Sequence, residues 1–347
     1  MPKFHISITE KTLHFRQPAG TSRGVYTTRR SWFVTLTSPQ KPGVKGVGEC
    51  APLPDLSCDA LADYAEILQD ACRLVATTGR TDFDELRPYP SMLFGLETAL
   101  AQYEAGGSPA LFDTAFGRGE EGIPINGLVW MGSFAEMYSR LEKKLQQGFR
   151  CVKLKIGAID FEQELALVRH IREAFGKEQV ELRVDANGGF TPANAMQRLE
   201  ALAPYGIHSI EQPVRQRQWE AMAKLCRESP IPIALDEELI GVNSPEAKKE
   251  LLDTLRPAFI VLKPSLHGGM SGSREWIQLA RERGIGSWIT SALESNVGLN
   301  AIAHFCASVY GPHISMPQGL GTGQLFTDNI DMPLLIKGDQ LWYCKNS

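Results

Sequence analysis

The sequence predicts an α/β fold, a (β/α)7-8 TIM-like barrel with an α+β domain at its N-terminus, and three observations carry that expectation. From about Pro124 onward, short apolar runs alternate with amphipathic helical segments, the pattern of parallel strands joined by crossover helices. The first hundred residues read differently, as short strand-like runs followed by helices. The length of 347 residues exceeds what one compact core usually fills, leaving room for a large domain and a smaller one. The division expected is 1–118 for the α+β domain, with 325–347 returning to it, and 119–324 for the barrel.

In the N-terminal part, strands are expected around Lys3 to Ile8 and Ser31 to Thr37, and helices near Leu61 to Val75 and Met92 to Glu104. Eight later runs read as strands: IPINGLVW, FRCVKLKIG, VELRVDAN, GIHSIEQP, IPIALDEE, AFIVLKPS, IGSWITSA and HISMPQG. They recur at about the spacing of one βα unit, which makes a closed barrel the expected arrangement. Thr191-Pro192 and Ser244-Pro245 each place an N-cap hydroxyl before a proline suited to the first helical position. Phe161, Leu165, Val168, Ile171 and Phe175 recur at helical spacing and would cover the barrel wall.

Composition narrows the function. Net charge is −4 with no long basic or acidic block, which speaks against nucleic acid or a membrane surface as partner and for a small molecule. The N-terminus lacks an apolar targeting core and no stretch approaches bilayer length, so a cytoplasmic protein is expected. Seven scattered cysteines without a CxxC read as reduced packing residues. The glycine-rich GLGTGQL lacks the strand-turn-helix context of a dinucleotide fingerprint and reads as a tight active-site loop.

Charged residues mark the C-terminal ends of five consecutive expected strands: Lys153 and Lys155, Asp185 and Asn187, Glu211, Asp236 and Glu237, and Lys263. In a barrel these ends meet at the rim where active sites form. Alternation puts Lys153 and Lys155 on one face of CVKLKIG and Val152, Leu154 and Ile156 on the other, so two lysines project inward. Asp185, Glu211 and Asp236 bring three carboxylates together, and mutually repelling anions need a cation. Hard oxygen donors point to Mg²⁺, with Mn²⁺ as a substitute, although ion pairs with Lys153, Lys155 and Lys263 would also neutralise them. A metal flanked by lysines suits abstraction of the weakly acidic proton alpha to a carboxylate: the metal stabilises the enediolate, and a nearby cation favours the neutral amine of a lysine base. Lys155, nearer the strand end, is the candidate base, and Lys263 across the ring a second acid/base or a cationic stabiliser.

With KLK, DAN, EQP, LDEE and LKPSLHGG present in that order, nearly the whole chain resembles the enolase superfamily, specifically its muconate-lactonizing subgroup. GVGECAPLPDLS resembles that family's capping-domain segment, whose loops close over the site. The segments PAGTSRG, TSALESNVGLNAIAHF and QGLGTGQLF resemble one dehydratase branch. That resemblance implies syn-dehydration of 2-succinyl-6-hydroxy-2,4-cyclohexadiene-1-carboxylate in menaquinone biosynthesis, with Lys155 abstracting the proton and assisting departure of the hydroxyl, and Lys263 as stabilising cation. It further implies that Lys153 supports its neighbour and that Asn187 and Glu237 back the metal site. Thr21, Ser22, Arg23, Ser291, Gly319 and Gly321 are candidate substrate contacts. His267 reads as structural, and Glu294 keeps an open role. Three rivals remain: an N-succinylamino acid racemase or dipeptide epimerase of the same subgroup, a Schiff-base barrel lyase, and a non-catalytic barrel.

Overall fold

A computed structural model describes residues 2–21, 24–157 and 159–345. Strands β1 (His5–Thr21), β2 (Gly24–Thr37) and β3 (Lys45–Cys50) form an antiparallel sheet in that order. The β1–β2 hairpin runs from His5 opposite Thr37 to Thr21 opposite Gly24, with a register break between His14 and Ala19. It is much longer than the two apolar stretches the sequence signals. Its outer half, beyond the covering helices, buries Leu13, Phe15 and Ala19 against Leu293 and Phe326, contacts too far apart in the sequence for a local pattern to signal them. Helices α1 (Tyr64–Thr78), α2 (Phe83–Leu86) and α3 (Pro90–Glu104) cover the inner half, burying Trp32, Val34 and Leu36 against Leu68, Met92 and Leu96. Strand β3 lies so close to α3 that a Cβ on Gly48 would stand 1.8 Å from the Gly95 carbonyl oxygen. The glycines of GVGEC permit that approach.

A short β4 (Ile123–Pro124) leads into alternating strands and helices: β5 (Gly127–Val129), α4 (Phe134–Gln146), β6 (Cys151–Lys155), α5 (Phe161–Ala174), β7 (Glu181–Asp185), α6 (Ala195–Leu202) and β8 (Ser209–Glu211). There follow α7 (Trp219–Glu228), β9 (Ile233–Leu235), α8 (Pro245–Leu255), β10 (Phe259–Leu262), α9 (Gly269–Arg281), β11 (Gly286–Ile289) and α10 (Asn296–Tyr310). Strands β5 to β11 form one parallel, seven-stranded sheet in sequential order. Alternation sorts the side chains as expected. Val152, Leu154, Leu182, Val184, Ile210 and Leu235 join the core shared with the helices, whereas Ala234, Val261 and Trp288 form a separate apolar layer inside the curl. The Arg183 guanidinium lies 4.5 Å from the Trp288 ring and pairs with Glu181 at 2.7 Å.

Two local expectations shift. Helix α8 starts as signalled, with Ser244 accepting from the Ala247 N–H and Pro245 in the first turn. After Thr191-Pro192, however, the regular helix begins only at Ala195, because the Thr191 carbonyl accepts the N–H groups of both Asn194 and Ala195 in a preceding turn. The expected eighth strand, HISMPQG, is not a regular strand. Pro312 and Pro317 cannot donate to a ladder, and His313 has φ 61°. Only its end pairs: Gln318 bridges to Ile125 and Gly319 to Thr290, both in parallel sense, joining the two edges of the curled sheet.

Beyond it, the chain runs along β1, where Phe326 pairs with Phe15 and Asp328 meets the His14 N–H at 2.8 Å. It then forms a hairpin, β12 (Leu334–Lys337) and β13 (Gln340–Tyr343), which pairs with β4 rather than with the N-terminal sheet. Among the described residues no helix is long and apolar enough to cross a membrane.

Buried and part-buried polar contacts dock the N-terminal part onto helices α9 and α10. Fully buried Glu49 accepts from the Ser31 hydroxyl at 2.8 Å and caps α10 through the Ser295 N–H at 3.0 Å, the Ser295 hydroxyl at 2.5 Å and the Gly298 N–H at 2.9 Å. Arg87 reaches Glu275 of α9 with both terminal nitrogens, at 2.9 and 3.2 Å. Glu49→Ala would leave several buried donors unpaired, each costing about 1–3 kcal/mol. We expect it to destabilise the protein by roughly 3 kcal/mol in denaturant unfolding; an unchanged midpoint would refute this docking role.

Candidate active site

Adjacent strands bring the acidic residues together by simple register. Lys155 pairs with Asp185, and Asp185 with Glu211, across β6, β7 and β8. Asp236 follows the end of β9, one pleat beyond Ala234, which pairs with Glu211. Neighbouring strands run about 4.8 Å apart, and Asp185, Glu211 and Asp236 each present an oxygen within 4.8 Å of the others. All three are buried.

The lysines enter the same cluster. Lys153 bonds Asp185 at 2.9 Å and also contacts Glu211; Lys155 bonds Asp185 and the Asn187 side-chain oxygen, each at 2.6 Å. Lys263 holds Asp236 from the other side, at 2.6 Å to Oδ1. Asn187 donates to Glu237 at 2.9 Å. The eight residues expected at the strand ends thus converge on one side of the curled sheet.

Burial disfavours the Lys153 ammonium, yet Asp185, Glu211 and Asp236 hold its pKa above the ordinary lysine range. Burial likewise disfavours the Lys263 ammonium, and Asp236 and Glu237 raise it regardless. Burial would raise the Asp185 pKa, but Lys153 and Lys155 hold it well below the usual carboxylate range. For Glu211, burial wins: with Lys153 opposing and Asp185 and Asp236 adding, its carboxyl is pushed up to about 8. Burial, aided by Asp236, also raises Glu237. Three lysines face four acids, and among the described residues the buried Glu211 Oε1 and Glu237 Oε2 find no hydrogen-bond partner. An all-oxygen donor set short of positive charge, with an orphaned carboxylate oxygen, fits a hard divalent cation held by Asp185, Glu211 and Asp236.

A cavity of 410 Å³ opens over this cluster, reaching Lys155, Lys263, Asp236 and Glu237. Its walls include Ser291, Gly319 and Gly321, as well as Leu53 and Leu56 from the N-terminal part. A Cβ on Gly319 would lie 2.1 Å from the Thr290 hydroxyl, so this position needs glycine. Ser291 shares a 2.7 Å hydrogen bond with Thr322. Ser22 and Arg23 lie outside the described residues, and Thr21 is described only as the backbone end of β1.

His267 is buried, accepts the Lys263 N–H on Nδ1 at 2.9 Å, and is pushed down by burial to about 3, so it stays neutral. Glu294 accepts the Ala292 N–H at 2.7 Å and the Ser265 hydroxyl, tying together loops that flank the cavity. Sequence reasoning missed Trp130, Leu293 and Thr322 on the wall, because rim loops carry no periodicity, and it missed Gln212 and Glu238 behind the carboxylates.

Fold and site together define an enzyme-like parallel α/β sheet with a buried acidic cluster that fits a metal ion. Residues 136–331 match the "Enolase C-terminal domain-like" family, and residues 21–103 match "MenC, N-terminal domain". An o-succinylbenzoate synthase from Desulfotalea psychrophila is 47% identical over 98% of this chain and 99% of its own. The crystal structure of MenC from the same organism superposes with a TM-score of 0.81 at 42% identity, covering 98% of this chain and 99% of that one. An L-Ala-D/L-Glu epimerase from Bacillus subtilis is 33% identical, but over only 52% of this chain and 49% of its own. The chain belongs to the o-succinylbenzoate synthases, lyases of the enolase superfamily.

Removing or supplying the cation should be visible without turnover. At a hundredfold excess over its dissociation constant, a divalent ion stabilises by about 2.7 kcal/mol. We expect Mn²⁺ to raise the melting temperature of the wild type and to leave Asp236→Asn unmoved; equal shifts in both proteins would exclude the triad as the binding site.

Proposed function

We propose that this protein catalyses the syn-dehydration of 2-succinyl-6-hydroxy-2,4-cyclohexadiene-1-carboxylate to o-succinylbenzoate, a step of menaquinone biosynthesis, in the cytoplasm. The observation that carries this reading is the pair of lysines facing one cavity across a buried carboxylate triad, in a chain nearly half identical to an o-succinylbenzoate synthase. We read the bridges at Gln318 and Gly319 as closing the sheet into a (β/α)7-8 barrel. Residues 1–118 would form its capping domain, joined by the stretch around Phe326 and Asp328 that runs along β1, with 119–324 and the β12–β13 hairpin as the catalytic domain.

Asp185, Glu211 and Asp236 would hold Mg²⁺, with Mn²⁺ as a substitute. Bound there, the cation lowers the cost of negative charge developing on the substrate carboxylate by several kcal/mol. Lys155 removes the alpha proton as a neutral amine and so becomes an ammonium. The same ammonium, on the same face, then gives its proton to the departing hydroxyl. The carbon–oxygen bond breaks, water leaves and the ring becomes aromatic. Lys263, paired with Asp236 on the opposite side, stays cationic and stabilises the enediolate. Lys153 and Asn187 hold Asp185 and Lys155 in place, and Glu237 fixes Asn187. Ser291, Gly319 and Gly321 would contact substrate on the wall, and Thr21, Ser22 and Arg23 are further candidates for substrate contact.

The test is a spectrophotometric aromatisation assay with and without Mg²⁺, run beside racemisation of N-succinylamino acids. Fast, Mg²⁺-dependent aromatisation is expected, and its absence would reassign the site to the racemase or epimerase chemistry of the superfamily. Lys155→Ala should fold normally and lose about 10²- to 10⁴-fold in kcat; wild-type turnover in that variant would overturn the mechanism.

A further inference from the structure

The three strand ends that carry the carboxylates share one residue. Gln212 follows Glu211 directly, is wholly buried, and has φ 38°, a left-handed backbone that side chains other than glycine rarely adopt. Its main chain ties both neighbours: its N–H donates to the Ala234 carbonyl at 2.9 Å, and its carbonyl accepts the Gly188 N–H at 2.7 Å. Its side chain completes the connection. The Gln212 Oε1 accepts the N–H groups of Asp236 and Glu238, each at 3.2 Å, and Nε2 donates to the Val214 carbonyl at 3.0 Å and to Glu238 at 3.1 Å. Buried Glu238 in turn accepts the Arg217 N–H at 2.7 Å and the Trp219 indole N–H at 2.9 Å. No other side chain among those described here touches both the Glu211 and the Asp236 strand ends through the backbone.

We infer that Gln212, braced by Glu238, is a positioning residue that sets the spacing of the three carboxylates by fixing the backbone at Asp236 relative to Glu211. Neither residue offers an atom to the triad. Asp236 itself sits at φ −123°, ψ −82°, outside the usual strand and helix regions, so its N–H needs an external acceptor to hold it there. An amide side chain supplies what a carboxylate or a hydrocarbon could not: an acceptor for two N–H groups and a donor toward Glu238, without adding a charge beside the triad. The inference rests on the reading of the triad as a metal site.

The test measures Mn²⁺ affinity of the full chain by electron paramagnetic resonance of the free ion, alongside thermal melting in chelator. Gln212→Leu keeps the bulk and removes every side-chain hydrogen bond; we expect it to weaken Mn²⁺ binding by about 10- to 100-fold, the usual effect of losing a group that orients a metal ligand. Glu238→Gln, which keeps one acceptor, should weaken binding in the same direction by a smaller factor, and it carries the test if Gln212→Leu does not fold. A folded variant of either kind with wild-type Mn²⁺ affinity, whatever its melting temperature, overturns the inference. Equal binding by wild type and Asp236→Asn would instead overturn the metal site, and the inference with it.

Discussion

The structure is organised around a cluster of buried charge. Asp185, Glu211 and Asp236 are held out of water at the ends of three adjacent strands, and each ionised carboxylate there carries a desolvation cost of several kcal/mol. Lys153, Lys155 and Lys263 offset part of that cost, and the rise of Glu211 to about 8 shows that they do not offset all of it. A site that is too negative for its own lysines is one that a divalent cation would fit.

Everything around the cluster serves to keep it in register. The outer faces of β5 to β11 bury apolar side chains against α4 to α10, which fixes strand spacing, and the inner Ala234, Val261 and Trp288 layer closes the space below the charges. Above them, the N-terminal sheet is docked by Glu49 on α10 and by Arg87 on α9. The same docking holds Leu53 and Leu56 over the lysines. The triad is thus fixed by the sheet, and the cavity above it is walled by both parts of the chain, with Ser291, Gly319 and Gly321 on one side and Leu53 and Leu56 on the other.

Much of this was legible in the sequence because it depends on period. A two-residue alternation in CVKLKIG is enough to place Lys153 and Lys155 inward, and the interval between charged strand ends is the length of a βα unit. What was not legible depends on irregular backbone. The proline-flanked HISMPQG reads as a strand but pairs only at Gln318 and Gly319. The outer half of the long β1–β2 hairpin is set by Leu13, Phe15 and Ala19 packing on Leu293 and Phe326, far away in the sequence, and the turn after Thr191 delays α6 by three residues. Gln212 and Glu238 stand inside quoted motifs, yet nothing in a one-dimensional pattern reveals that a buried amide accepts two N–H groups from a neighbouring strand.

The central claim is that the buried triad is a metal site flanked by two lysines. Anomalous diffraction from crystals of the protein grown with Mn²⁺ tests it most directly. The account predicts one strong peak within coordination distance of Asp185, Glu211 and Asp236, with Lys155 and Lys263 on opposite sides of the adjoining cavity. Manganese bound elsewhere, with the three carboxylates still paired only to lysines, would contradict it.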